Sequence, residues 1–230
     1  MEAGHNKSRN SRIKILLSPT KVLLVIVGFC LLSTQSFASI VSGNVSTGSG
    51  SFINLSGALP ANVGNDNFQD DNLYAFDEAQ NLVLGANLAI NVLPAGGAGT
   101  ISAGTSISSH YVFFDPAGST SQIGTVLFDG PILGIITYTA ELLASDSLGS
   151  MALNYLNPTL RGLEDNIDSA FVSLMNANEV TVDWRASTPG YYIRVITASA
   201  VPIPAAFWLF GSALLATVGW SKKRGAAVSA

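Results

Sequence analysis

Two acidic groups hold the residue types that could do chemistry. The first runs Asn65-Asp66-Asn67-Phe68-Gln69-Asp70-Asp71-Asn72 and continues to Asp77 and Glu78. The second is Glu164-Asp165-Asn166-Ile167-Asp168, just after Arg161-Gly162. Calcium takes about 6–8 oxygen ligands from carboxylates, amide side chains and backbone carbonyls. Asp66, Asp70 and Asp71 fall within six positions, interleaved with Asn65, Asn67 and Asn72, and are the candidate calcium ligands. Their spacing is not that of an EF-hand, and a solvated acidic loop is the plainer account of the same residues. Read as an enzyme, the same carboxyls would form the acid and base of a polysaccharide hydrolase. That chemistry needs two carboxyls about 5–9.5 Å apart across a sugar-sized cleft, a distance that sequence does not give.

Other chemistries find less. Between Ser39 and Ala200 there is no cysteine and one histidine, His110, in a strand-like run between Ser109 and Tyr111. No G-x-S-x-G elbow occurs, so a triad would have to be assembled through His110, which reads better as a packed or edge histidine. Zinc favours His and Cys and has few ligands here. Gly96-Gly97-Ala98-Gly99 lacks the Lys-Ser/Thr ending of a phosphate loop. Phe68, Tyr74, Tyr155 and Tyr191 could stack on sugar rings. Trp184 shares an apolar strand face with Val180 and Val182 and reads as core.

These groups lie in a segment, 39–200, long enough for one domain with its own core. It holds fourteen carboxylates against three arginines, a net of −11, within a chain whose formal charge is −4. Such a surface repels nucleic acid, which is excluded as a partner, and favours cations. Without cysteine, no disulfide ties it together. The pattern predicts strands over 52–59, 73–76, 81–84, 88–93, 106–114, 124–129, 132–143, 179–185 and 191–197, with a weak first strand or flexible lead over 39–51. The segments 73–76 and 81–84 read as a hairpin across Asp77-Glu78-Ala79-Gln80. Residues 95–104 read as a Gly/Ala loop, and a helix is expected only within 148–156. Eight to ten short strands with turns between them indicate an all-β fold: an antiparallel β-sandwich, jelly-roll in type.

The ends of the chain carry its address. Five basic residues against one acid precede the apolar run Val22–Leu32, and Ser36-Phe37-Ala38 follows. This is the order of a signal peptide, residues 1–38, cut after Ala38; an uncleaved signal anchor is the alternative. Phe29 before Cys30 argues against a lipoprotein signal. Residues 201–230 begin with Val201-Pro202-Ile203-Pro204-Ala205 and stay uncharged to Trp220. The run over about 205–220 is long enough for a membrane-spanning helix. Lys222, Lys223 and Arg224 then mark its cytoplasmic end.

This tail resembles the PEP-CTERM sorting signal of Gram-negative bacteria, in the variant reading Val-Pro-Leu-Pro-Ala. The residues that carry the resemblance are Val201–Ala205, Trp208–Ser212 and the basic cluster. Ile203 stands where the parent motif has glutamate. The resemblance implies recognition by a membrane-embedded exosortase and transfer of the remainder to the cell surface or an extracellular polysaccharide matrix. The expected function is that of an exported, surface-sorted, non-catalytic structural or adhesive protein associated with polysaccharide. A secreted hydrolase and an uncleaved bitopic inner-membrane protein are the alternatives.

Overall fold

The computed structural model describes residues 38–156, 158–163 and 168–199. The leader before Ala38, the tail from Val201, and residues 164–167 of the second acidic group lie outside them. Among the described residues no helix is long and apolar enough to cross a membrane. In chain order the strands are β1 (Ile40–Thr47), β2 (Phe52–Asn54), β3 (Asn62–Val63), β4 (Leu73–Asp77), β5 (Leu82–Val83), β6 (Leu88–Ile90) and β7 (Gly99–Ile101). Then come β8 (Ser106–Phe114), β9 (Thr120–Phe128), β10 (Ile132–Ile136), helix α1 (Thr139–Ala144), β11 (Asn154–Tyr155), β12 (Ser169–Val172), β13 (Glu179–Ala186) and β14 (Tyr191–Ala198).

Two sheets form a sandwich. The first has the order β1-β9-β13-β12; the second has β10-β14-β8-β4-β2, with β5 also on β8. In the first sheet the side chains alternate as a half-buried strand requires. Val180, Val182 and Trp184 are fully buried, while Asp183 and Arg185 face water. They meet Val112, Phe114, Ile193 and Val195 of the second sheet in the inter-sheet core. Gly124 fits there because a Cβ would lie 2.7 Å from the Leu73 side chain.

The second sheet is buried on both faces. All of Ile107–Phe114 is enclosed, which is why its last four residues, Tyr111–Phe114, are apolar or aromatic on both faces instead of alternating, and why Ser109 and His110 are buried with hydrogen-bond partners. Its outer face packs Tyr74, Phe76, Tyr111, Phe113, Tyr192 and Ile196 against Leu142 of α1, Ile90 and Ile101 of the β6–β7 hairpin, and Val63 of β3. The molecule therefore has a third layer that the sandwich expectation did not contain.

That layer accounts for the departures from the sequence reading. Segments 73–76 and 81–84 do not pair as a hairpin; β4 and β5 both pair with β8. The Gly/Ala loop contains β7, paired with β6. The apolar run from Ile132 breaks after Ile136, where the backbone N–H groups of Thr137 and Tyr138 both donate to Asn91 Oδ1 (2.7 and 3.1 Å). Its remainder forms α1, so the helix lies upstream of 148–156. Strand β12 was not expected; its partner β13 supplies the pairing.

The chain enters and leaves at one pole. Asp129 N–H donates to Ser39 O (3.0 Å), Ala198 N–H to Pro131 O (2.9 Å), and Ser199 N–H to Ser106 O (3.3 Å). At the opposite pole the 64–72 loop meets the β8–β9 and β13–β14 turns. Strands of eight or nine residues set the poles about 26–30 Å apart.

Candidate functional site

The first acidic group occupies the pole away from the chain ends, around the end of β8. Gly64, Asn65, Asp66 and Gln69 all have positive φ, so the loop coils tightly instead of extending. Two bonds fix it to Asp115. Phe68 N–H donates to Asp115 Oδ2 (3.1 Å), and Asp70 N–H to Asp115 O (3.1 Å). Gly190, at φ +88°, lets the β13–β14 turn lie against the same residue; a Cβ there would be 2.9 Å from Asp115 Oδ1.

The three candidate ligands do not converge on one point. Asp70 is held within its own loop: Oδ2 accepts from Tyr74 OH (2.6 Å) and Oδ1 from Asn72 N–H (2.9 Å). Burial, then Asp70, push the Tyr74 phenol up to about 12. Asp71 accepts from Ser49 Oγ. Asp66 turns inward, its Oδ1 buried without a hydrogen-bond partner among the described residues. Among those residues no three His, Cys, Asp or Glu side chains group as metal ligands would. Asp66 is coupled instead to Asp115, which the sequence reading did not single out. Burial raises the Asp115 pKa, the bond from Phe68 opposes this, and the Asp66 charge adds to the rise. Asp115 Oδ1 is also buried without a hydrogen-bond partner of good geometry. Asp115-Pro116 reads as a turn signal in sequence, and nothing there reveals that the carboxylate is enclosed.

Beside this loop lies a shallow depression of about 480 Å³ lined by Gln69, Asp70, Asp71, Gly118, Ser119 and Thr120. Its wall offers carboxylates, an amide and hydroxyls, which suit the hydroxyls of a sugar or a hydrated cation. The aromatic candidates are placed elsewhere. Phe68, Tyr74 and Phe113 pack on one another at 4.6–5.0 Å, and Tyr191 is in the inter-sheet core. Tyr155 belongs to a second polar group, around Glu78. Trp184 is core, as its strand face predicts.

That second group pins the third layer to the second sheet. Glu78, just past β4, takes a two-pronged contact from Arg194: Nε to Oε2 (2.7 Å) and Nη2 to Oε1 (3.0 Å). Ser109 Oγ (2.6 Å) and Tyr155 OH also donate to it. Arg194 Nη1 donates to Leu142 O (3.1 Å) and Ser145 Oγ (2.6 Å), at and after the end of α1. Arg161 grips Asp146 through both terminal nitrogens (3.0 and 2.8 Å). Burial works to lower the Arg194 pKa, and Glu78 more than reverses it. Burial raises the Tyr111 phenol beneath, against the two guanidinium charges.

His110 lies on the inter-sheet side and is fully buried. Its Nδ1 is 2.7 Å from Asp77 Oδ1 and its Nε2 is 3.0 Å from Thr197 Oγ1. This Asp-His-Thr order has the connectivity of a nucleophile triad. Thr197, however, has no exposed surface, so no carbonyl can reach its hydroxyl in this conformation. What the chain does achieve is a tie between β4, β8 and β14 near the exit pole. Asp168 of the second acidic group accepts Arg185 N–H (2.7 Å) beside β13, far in sequence from the first group.

No family model, no curated protein and no solved structure matches this chain.

Proposed function

We propose that the chain is an exported, surface-sorted, non-catalytic protein with a structural or adhesive role, and that its acidic pole engages extracellular polysaccharide. In this reading residues 1–38 direct export, Ala38 precedes the cut, and the 201–230 tail holds the domain at the membrane through a helix over about 205–220. An exosortase then acts at Val201–Ala205, with Lys222, Lys223 and Arg224 left on the cytoplasmic side. The observation that carries the reading is the placement of the depression. Gln69, Asp70, Asp71, Ser119 and Thr120 lie at the pole opposite Ser39 and Ala198. A domain tethered by either end would turn that pole outward, toward whatever surrounds the cell. The acid-rich wall favours a neutral or cation-bridged glycan over an anionic one.

The test uses the mature protein purified from producing cells. Its intact mass should begin at Ser39 and lack Phe207–Ala230; a full-length tail retained in the inner membrane would support the bitopic alternative. Applied to a glycan array with a reducing-sugar readout, it should bind without releasing sugar. Release that disappears in Asp70→Asn or Asp71→Asn would establish the hydrolase instead.

A further inference from the structure

We propose that the pole where the chain enters and leaves docks on a lipid bilayer surface, with Leu174 and Met175 as its leading side chains. This rests on the reading of the tail as a membrane anchor. The two residues sit at the tip of the β12–β13 turn and are 96% and 95% exposed. They are held there by a closed turn. Ser173 N–H donates to Glu179 O (2.8 Å), Glu179 N–H to Asn176 O (3.0 Å), and Met175 N–H to Ser173 Oγ (3.3 Å). The turn belongs to the exit pole. Phe128 and Ile132 donate their N–H groups to Asn178 O and Ala177 O (both 2.9 Å), and Ile132 pairs with Thr197 next to the chain exit. Val41, beside the entering chain, and Leu82 and Val83, paired across Ile107 and Ser106, are exposed at this pole too. Surface turns ordinarily carry polar residues, and the adjacent pair Leu174–Met175, almost fully exposed on a closed turn, is the exception that a contact would explain.

The occupant follows from the chain beyond the sandwich. From Ala198 to Ala205 is seven residues, and the sequence is uncharged from Val201 to Trp220. Seven residues reach at most about 25 Å. With the tail in a bilayer, the exit pole is confined near its surface, where the effective concentration is on the order of millimolar. A weak apolar contact is then enough. The charges of this pole are carboxylates, which a surface of no net charge does not repel; Asp77 there accepts Ile40 N–H (3.2 Å) and faces His110. Asp129 accepts Ser39 N–H (2.7 Å) and Ser39 Oγ (3.2 Å), and Glu179 is half-buried at the strand start. Asp66, Asp70, Asp71 and Asp115 are at the far pole, beyond a Debye length of about 8 Å. Zwitterionic lipid is thus the surface that fits.

The experiment places the full-length chain in phosphatidylcholine vesicles and follows methionine oxidation by dilute hydrogen peroxide, peptide by peptide. Met151 is the internal control: it is fully exposed but lies on the third layer, between α1 and β11. Met175 should oxidise roughly fivefold more slowly than Met151 in vesicles, and equally fast in the mature, tail-free protein in buffer. Leu174→Ser should bring the ratio in vesicles close to one while the chain still floats with the lipid. Flotation with equal oxidation of the two methionines would overturn the docking and leave the anchor reading standing. A chain that does not float would remove both. Protection of Met175 in tail-free protein without lipid would assign this pole to a protein contact and overturn the proposal.

Discussion

Glu78 and Asp115 are both carboxylates enclosed just past the ends of strands in the same sheet, Glu78 after β4 and Asp115 after β8. Around Glu78, three segments distant in sequence bring a guanidinium, a serine and a phenol to its two oxygens. Around Asp115, the described residues bring backbone N–H groups, a second carboxylate and a tyrosine whose hydroxyl donates to Pro189 O (2.7 Å). Burial is the same in kind at both sites; what differs is the cation. Where one is built in, the charge ties an extra layer onto the sandwich. Where none is, the cost of enclosure shows in the raised pKa of Asp115. One region stores cohesion, and the other stores a demand for a proton or a cation.

The largest effect should come from breaking the first region. Glu78→Ala leaves enclosed Arg194 with only its longer carboxylate contact, to Asp146 Oδ1 (3.5 Å), and removing one member of such a buried pair costs about 3–5 kcal/mol. Chemical denaturation should read this as a lowered midpoint. Replacing both members, Glu78→Leu with Arg194→Met, should recover most of the loss, because two desolvation penalties vanish along with the attraction. The inter-sheet core offers no such rescue. Trp184→Ala should cost about 3–5 kcal/mol as lost burial plus cavity, and no second deletion should restore it. If the double variant is no more stable than Glu78→Ala, the cluster holds the third layer through packing of Tyr111 and Tyr155 and not through compensated charge.

At the second region the expected change has the opposite sign. Asp115 has a folded pKa above its ordinary 3.8. A raised carboxyl favours the folded state most below its unfolded pKa, and that advantage is lost as pH rises through the folded value. Near neutral pH the enclosed carboxylate is therefore a liability. Asp115→Asn keeps an acceptor for Phe68 N–H and adds donors facing Asp66. It should raise stability at pH 7 by about 1 kcal/mol, one hydrogen bond gained. The gap to wild type should close as the pH falls to about 4. A gap that stays constant with pH would mean that Asp115 is already neutral, or paired, at pH 7.

The same contrast explains how much could be read beforehand. The two-sheet sandwich was readable because period-two alternation in 179–185 and the apolar run in 111–114 report burial locally. The third layer was not. Ile132–Leu143 carries a single charge, Glu141, and β-branched residues up to Thr139 hide the change from strand to helix at the point where Asn91, more than forty positions away, caps the strand. At the acidic pole the sequence pointed to the loop but not to its centre. Asp66, Asp70 and Asp71 stand out because they cluster. Asp115 does not, because its neighbours in space come from residues 66–68 and 190–192. Arg194 likewise alternates in sequence with Ile193 and Val195, a pattern that assigns it to the polar side of the strand. Its partner, Glu78, lies 116 positions earlier.

The smallest predicted effect sharpens the comparison most, because it supplies from solution what the second region lacks. Asp66 Oδ1 and Asp115 Oδ1 are buried acceptors without hydrogen-bond partners of good geometry among the described residues, and the Asp66 charge raises the cost of charging Asp115. Calcium at this pair would remove that repulsion. Two carboxylates with a few carbonyls make a weak site, of the kind that binds extracellular calcium with Kd about 10⁻⁴–10⁻³ M. At a concentration equal to Kd, a ligand of the folded state adds RT ln 2, about 0.4 kcal/mol. For a domain of this length that is about 1–2 °C in melting temperature. Millimolar calcium should give this shift in a thermal melt at pH 7, and magnesium less, since it demands stricter octahedral geometry. Asp66→Asn should abolish it, and Asp70→Ala with Asp71→Ala should spare it, because those two carboxylates are engaged by Tyr74, Asn72 and Ser49. Asp115→Asn and calcium should not add, since both relieve the same repulsion. A shift that follows Asp70 and Asp71 instead would move the cation into the surface depression. Asp115 would then be left enclosed without compensation, and the contrast with Glu78 would be sharper still.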